Sequence, residues 1–302
     1  MGFIQGWIEV LWMKKLFINK PFWSKILFKG AFYLLMIIIF LVVLTFAINA
    51  IRYDSGLLSQ EVIDSVLQFV SAFAFWSIVL YIAVIVDLAL FFFEIKDFVG
   101  GNVYYNYSFG KYHKPKIENR IFMFLDMKSS TTIAEQMGHA KYFELIKSYY
   151  EDMTDAILET SGEVYQYVGD EIVVSWTEEK GLFEDNCIRC YQKINESIQN
   201  ESNKYQSRFG FVPGFKAGLH LGEVTTGEIG TLKKEIVYSG DVLNTAARIQ
   251  ALCNQYKARI LISDGLKKRL SAEEDFYISE IGILELRGKS NPMPIYRVEF
   301  ED

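Results

Sequence analysis

Two long stretches without a charged residue stand out in the first third of the chain. Residues 30–51 and 65–86 each run for 22 positions without Asp, Glu, Lys or Arg. At about 1.5 Å per residue, a helix of that length reaches roughly 33 Å, close to the thickness of a bilayer core. The pattern predicts two membrane-spanning helices within residues 30–93. The alternative is a long helical hairpin buried inside a soluble protein.

The charges around these stretches predict their orientation. Five lysines precede the first stretch, at positions 14, 15, 20, 25 and 29, whereas the intervening loop carries the single base Arg52. The positive-inside rule therefore places residues 1–29 in the cytoplasm, and two crossings return the remainder to the same side. Residues 1–29 also show helical apolar spacing with lysines, which is typical of a segment lying on membrane lipid or packed on the spans. Because the loop at about 52–64 is too short for an external ligand domain, an anchoring and dimerising role is favoured over sensing.

Beyond residue 117 the pattern changes to strands alternating with helices. A continuous apolar run at 121–125 predicts a central strand that ends at Asp126. Two further strands, at 163–168 and 171–176, flank the tight turn Gly169-Asp170. Helices are predicted at about 130–160, 181–203 and 242–254, and short strands end the chain. The result is an α/β sandwich with a mixed sheet over residues 117–302. A linker at 94–116 precedes it, where Gly100-Gly101 interrupts any continuous helix.

Composition narrows the possible functions. The net charge of −6 argues against a general nucleic-acid surface. Cys187 and Cys190 form a C-x-x-C pair, but no second cysteine pair or nearby histidine completes a zinc site. Packing within a helix is therefore the favoured role for these thiols.

Two aspartates and a helical pair carry the candidate chemistry. Asp126 and Asp170 each follow an apolar run, and their carboxylates converge if the two strands are neighbours. Paired carboxylates suit Mg²⁺, which keeps coordination positions for phosphates and water. Asn244 and Arg248 are four residues apart, hence on one helix face, where an arginine could hold phosphate. Taken singly, each has an ordinary alternative as a turn residue or a helix surface contact.

Four motifs in order give a resemblance to a known family. They are Phe124-Leu-Asp126, Tyr167-Val-Gly-Asp170, Gly218-Leu-His-Leu-Gly-Glu-Val224 with Gly227, and Tyr238-Ser-Gly-Asp-Val-Leu-Asn-Thr-Ala-Ala-Arg248. The region from about 117 to 300 resembles the catalytic domain of class III nucleotidyl cyclases. The resemblance implies an α+β sandwich with a ferredoxin-like, palm-type mixed sheet.

The resemblance also implies site roles. Asp126, Asp170 and the backbone carbonyl of Met127 match the ligands of two metal ions, Mg²⁺ or Mn²⁺, per active site. Asn244 and Arg248 match the pair that stabilises the transition state, and Lys289 falls where the family has a phosphate-binding lysine. The implied reaction is attack of the ribose 3′-hydroxyl on the α-phosphate, which yields a 3′,5′-cyclic nucleotide and pyrophosphate. Because the family forms its site between two catalytic domains, the resemblance implies a homodimer with two equivalent sites.

The purine-selecting positions depart from the family pattern. They are occupied by Gln166, four residues before Asp170, and by Val237, seven before Asn244. Gln166 offers both a donor and an acceptor and could pair with adenine or, flipped, with guanine. ATP is favoured because the glutamate usual in guanylyl cyclases is missing. The alternatives are a guanylyl cyclase acting on GTP and a catalytically silent module that binds nucleotide or a partner. A cyclic dinucleotide synthase would need a Gly-Gly-acidic signature that the sequence lacks.

Overall fold

The structure is a computed structural model of the 302-residue chain. It describes residues 6–8, 11, 13–17, 20–271, 276–286 and 292–300. The chain divides into two compact units, residues 1–105 and 106–302.

The first unit is helical. Its helices are α1 (Lys14–Phe17), α2 (Phe22–Arg52), α3 (Gln60–Ser71) and α4 (Phe73–Val99), and α5 (Gly101–Ser108) carries the chain across the boundary. Helices α2 and α4 are long and apolar enough to cross a membrane, and only 6% and 11% of their most apolar windows are buried. These helices are therefore exposed, unlike the core hairpin of a soluble protein.

The second apolar stretch is not one continuous helix. Residues 65–71 belong to α3, and the chain turns extended at Ala72 before α4 begins. The Ser71 hydroxyl donates to the carbonyl of Leu67, a side-chain bond that competes with helix continuation. Helix α4 then runs past the uncharged stretch to Val99 and ends at Gly100, whose φ of +94° breaks the helix.

Polar side chains link α2 to its neighbours within the first unit. The ammonium of Lys29 lies 2.8 Å from a carboxylate oxygen of Glu94 on α4, and both side chains are buried. Near the far end of α2, Ser65 donates to Asn49 at 3.1 Å. The carboxylate of Asp87 lies against the backbone of Gly30, where a Cβ would meet it at 2.1 Å. The hairpin is thus held by polar contacts at both ends as well as by apolar packing.

In the part of the chain that the structure describes, the second unit is built on an eight-stranded mixed sheet. Its strands are β1 (Lys116–Met127), β2 (Glu163–Val168), β3 (Glu171–Thr177), β4 (Phe215–Ile229), β5 (Glu235–Ser239), β6 (Ile260–Ser263), β7 (Phe276–Leu284) and β8 (Met293–Phe300). The order is β2-β3-β1-β4-β6-β8-β7, with β5 paired to β4. Among the described residues, β4 and β6 run parallel and the other pairs are antiparallel. The predicted mixed sheet is confirmed.

Helices cover this sheet. They are α6 (Ser130–Met137), α7 (His139–Glu159), α8 (Glu178–Leu182), α9 (Asn186–Asn200), α10 (Ser202–Phe209), α11 (Asp241–Gln255) and α12 (Asp264–Lys267), with a 3₁₀ turn at Phe183–Asp185. The helix predicted at 130–160 is divided at Gly138, which has a φ of +78°. The one predicted at 181–203 is divided by Glu184 and Asp185, both in the left-handed region. Glycine commonly ends a helix, so the sequence carries a signal at Gly138, whereas Glu184 and Asp185 give no comparable signal.

Alternate residues of β1 face two different cores. Met123 and Leu125 belong to the larger core with α7 and α9, whereas Phe122 and Phe124 pack on the face covered by α11. Because side chains alternate along a strand, Asp126 lies on the α11 face. This placement decides which helix can contact the first candidate metal ligand.

Candidate active site

The sheet brings Asp126 and Asp170 together. Strand β1 pairs with β3 through the register Leu125↔Ile172, so the end of β1 lies beside the turn that joins β2 to β3. Asp170 stands in that turn directly after Gly169, whose φ is +65°. The two carboxylates are close enough to interact directly. The convergence expected for neighbouring strands is therefore present.

Tyr150 of α7 fastens the turn that carries Asp170. Its hydroxyl lies 2.9 Å from the carbonyl oxygen of Gly169 and 3.1 Å from that of Glu171. The ring also packs on Tyr167, with centroids 4.5 Å apart. The Tyr150 hydroxyl thus bonds the backbone on either side of Asp170 and fixes the position of the turn.

Negative charge accumulates at this edge of the sheet. Burial raises the pKa of Asp170, and the nearby Asp126 carboxylate raises it further. A hydrogen bond from Ser130 acts in the opposite direction and lowers this pKa. Burial and then the charges of Asp126 and Asp170 raise the pKa of Glu171 to about 7, while Lys216 opposes the shift. Carboxylates that repel one another in this way favour a site for a cation.

Two donors that sequence reasoning missed meet Asp126. Gln250 of α11 donates from Nε2 to Asp126 Oδ2 at 3.0 Å, and the ammonium of Lys216 on β4 lies 3.2 Å from the same oxygen. Lys216 pairs directly opposite Asp126 in the β1–β4 register. Nothing in the sequence pattern marks Gln250, since it is 124 residues from Asp126.

The residues present fit a divalent cation of the Mg²⁺ type. Oδ2 of Asp170 is buried and has no hydrogen-bond partner among the residues that the structure describes. Met127 has a buried side chain, so its backbone carbonyl is the group it could offer. Within the described ranges, no cluster of three or more His, Cys, Asp or Glu side chains could enclose a metal. A site with two carboxylates and a carbonyl suits an ion that takes its other ligands from phosphates and water.

Asn244 and Arg248 lie on α11, the helix that also carries Gln250. Asn244 is exposed and Arg248 is half-buried. Arg248 Nη1 lies 3.9 Å from Asp241 and has no hydrogen-bond partner in the described part of the chain. Within those residues we find no hydrogen bond or ion pair from either side chain to Asp126 or Asp170. In the described part of one chain, the pair is therefore not in direct polar contact with the two aspartates.

The two positions predicted to select the purine lie on strands β2 and β5. A β-bulge between Val164 and Gln166 shifts the register, so Gln166 pairs with Val173 and joins the α11 face, where it is exposed. Val237 is half-buried on β5, opposite Gly227 of β4. Lys289 lies outside the described residues.

Comparison with known proteins places the chain in a family. The model of the adenylate and guanylate cyclase catalytic domain matches residues 112–299. Adenylate cyclase 2 of Rhizobium meliloti is 32% identical over 206 residues, 68% of this chain and 57% of that protein. An adenylate cyclase of Anabaena cylindrica is 28% identical over 187 residues, 59% of this chain and 36% of that protein. The matched part of the chain thus spans 57% of the first relative's length and 36% of the second's.

Solved structures share the fold. A bacterial light-regulated adenylyl cyclase superposes with a TM-score of 0.61 at 22% identity, covering 76% of this chain and 65% of its own. The guanylate cyclase domain of RhGC from Catenaria anguillulae, solved with GTP, gives 0.52 at 19% identity, covering 62% and 100%. Since the family model covers more than half of the chain, this protein belongs to the adenylate and guanylate cyclase catalytic domain family.

Proposed function

We propose that this protein is a membrane-anchored adenylate cyclase, which converts ATP to 3′,5′-cyclic AMP and pyrophosphate. The observation that carries the proposal is the pair Asp126 and Asp170, held side by side with a buried carboxylate oxygen that has no hydrogen-bond partner in the described part of the chain. ATP is the preferred substrate for two reasons. The curated relatives at 32% and 28% identity are named adenylate cyclases, and Gln166 stands where guanylyl cyclases usually carry a glutamate.

The reaction joins the ribose 3′-oxygen to the α-phosphorus, breaks the bond from that phosphorus to the β-phosphate oxygen, and releases the hydroxyl proton to solvent. Asp126, Asp170 and the Met127 carbonyl would hold two Mg²⁺ or Mn²⁺ ions. When bound, these ions neutralise phosphate charge and favour ionisation of the 3′-hydroxyl. Arg248 supplies a fixed positive charge to the α-phosphate as negative charge develops there, and Asn244 orients the ribose.

We infer a homodimer because Asn244 and Arg248 make no direct polar contact with the two aspartates in the described part of their own chain. Asn244 is exposed and Arg248 lacks a strong partner in the described part of its own chain. A two-fold dimer would present this pair to the aspartates of the second copy and create two equivalent sites. The guanidinium would then gain the phosphate partner it lacks in a single chain.

The first unit serves as the membrane anchor. Helices α2 and α4 have the length and exposure that lipid contact requires. The lysine excess before α2 would keep residues 1–29, and with them the catalytic unit, in the cytoplasm.

Product formation by the full-length protein tests the proposal. ATP or GTP would be supplied with Mg²⁺ or Mn²⁺, and cyclic AMP and cyclic GMP would be quantified. Asp126→Ala and Arg248→Ala should each abolish activity. The matched control Asp155→Ala alters an exposed aspartate of α7 and should retain it. Cyclic GMP as the sole product would reassign the substrate to GTP, and absence of product under all four conditions would overturn the proposal.

Mixing the two inactive variants tests the shared site. Random exchange makes half of the dimers mixed, each with one intact site of two, so about a quarter of the wild-type activity should return. No recovery after demonstrated subunit exchange would contradict a site shared between chains.

A further inference from the structure

Helix α11 carries polar side chains on two faces, one exposed and one buried against the sheet. Asn244 and Arg248 are four residues apart and share one face. Gln250 follows Asn244 by six residues, which places it about 120° around the helix, since each residue advances about 100°. Gln250 is only 6% exposed, whereas Asn244 is exposed. The outer face carries the pair proposed for catalysis, and the inner face reaches the sheet.

The inner face of α11 packs very closely on strand β4. A Cβ built on Gly218 would lie 2.2 Å from the backbone nitrogen of Gln250 and 2.7 Å from the carbonyl oxygen of Ala246. Glycine alone permits this approach. The approach brings the Gln250 amide to 3.0 Å from Asp126 Oδ2.

The chemistry of this contact is specific. An amide donor orients a carboxylate without neutralising it, whereas Lys216, 3.2 Å from the same oxygen, contributes a positive charge. Both donors meet Oδ2, so the other carboxylate oxygen carries neither of them. The arrangement turns Oδ2 of Asp126 toward α11 and leaves Oδ1 without either of these two donors.

We propose that Gln250 is a positioning residue, which fixes the metal carboxylate of Asp126 to the helix that carries Asn244 and Arg248. This inference rests on the proposed function. In the dimer, each α11 would serve both sites: its outer face completes the partner's site, and its inner face holds the first metal ligand of its own chain. Hydrogen-bond partners of metal ligands commonly change metal affinity by about 10- to 100-fold when removed.

Metal binding tests the proposal without requiring catalysis. Mn²⁺ alone would be titrated into the full-length protein in detergent and followed by electron paramagnetic resonance, with Asp126→Ala defining the site. Gln250→Met keeps the side-chain length and removes the donor. Gln255→Met is the matched control, because Gln255 is exposed on the same helix and bonds only to the adjacent Tyr256 among the described residues.

We expect Gln250→Met to weaken the Asp126-dependent Mn²⁺ site by about 10- to 100-fold, with Gln255→Met unchanged. Gln250→Asn retains a buried amide but shortens the side chain by one methylene, which moves the donor away from Asp126. It serves as the test if Gln250→Met does not fold, and it should also weaken Mn²⁺ binding. Equal Mn²⁺ affinity in wild type and folded Gln250 variants would overturn the positioning role alone. Absence of any Asp126-dependent site in the wild type would overturn the metal assignment and this inference together.

Mixed dimers show which chain Gln250 serves. In a mixture of Asp126→Ala and Arg248→Ala chains, the Arg248→Ala chain supplies the aspartate of the working site. Gln250→Met on that chain should raise the Mg²⁺ concentration for half-maximal activity by about 10-fold or more. The same substitution on the Asp126→Ala chain should leave that concentration unchanged. Equal shifts from either chain would assign Gln250 to packing of α11 and overturn the proposal.

Discussion

Gly218→Ala tests how closely α11 must approach the sheet. The added Cβ would stand 2.2 Å from the backbone nitrogen of Gln250 and 2.6 Å from its Cα. Both neighbours are backbone atoms of a helix, so no side-chain rotation relieves the overlap. Either α11 or β4 has to move.

The displacement follows from the distances. Ordinary contacts of a Cβ begin at about 3.4 Å, so the gap of 2.2 Å must widen by about 1.2 Å. Overpacking of this kind costs about 1–3 kcal/mol of unfolding free energy. In a unit of this size, each kcal/mol lowers the unfolding midpoint by roughly 2–4 °C. Because the same helix carries Asn244 and Arg248, a shift of about 1 Å should also reduce kcat by about 100-fold.

The assay measures kcat for cyclic AMP formation and the thermal midpoint on the same full-length preparation. Gly265→Ala is the matched control, since a Cβ at this exposed position of α12 meets nothing within 4 Å. It should leave kcat unchanged and the midpoint equal or slightly raised, because alanine favours a helix over glycine. A Gly218→Ala protein with wild-type kcat and midpoint would refute the claim that close packing of α11 controls the site.

Three further outcomes are expected. Glu94→Gln should lower the thermal midpoint in detergent, since it removes one member of the buried ion pair with Lys29, whose loss costs about 3 kcal/mol. The control is Asp97→Asn at an exposed position, and equal midpoints for the two variants would contradict a stabilising role for the pair. Tyr150→Phe frees the turn that carries Asp170, so the Mg²⁺ requirement of cyclic AMP formation should rise, whereas an unchanged requirement would assign the hydroxyl to stability alone. Cys187 and Cys190 are buried, and burial raises the pKa of Cys190 to about 12. At pH 8 both should therefore resist iodoacetamide until the protein is denatured, and rapid native labelling would restore a redox role.

Local pattern determined much of this protein. Uncharged runs long enough to cross a bilayer predicted α2 and the apolar part of α4, although α4 begins only at Phe73 and continues to Val99. The β2–β3 hairpin and its turn at Gly169-Asp170 followed from the same kind of signal, since both strands and the turn lie within 15 residues. That local hairpin, paired with β1, is the reason the meeting of Asp126 with Asp170 could be expected from the sequence.

Tertiary structure decided the rest, and the physical reason is distance along the chain. The bulge that moves Gln166 onto the α11 face is an adjustment of strand register with no periodic signature. Gln250 meets Asp126 across 124 residues only because Gly218 lets α11 approach β4. Lys216 reaches the same carboxylate through sheet register alone. Sequence periodicity specifies which face of an element is buried, whereas the side chains that meet in a site depend on how separate elements pack.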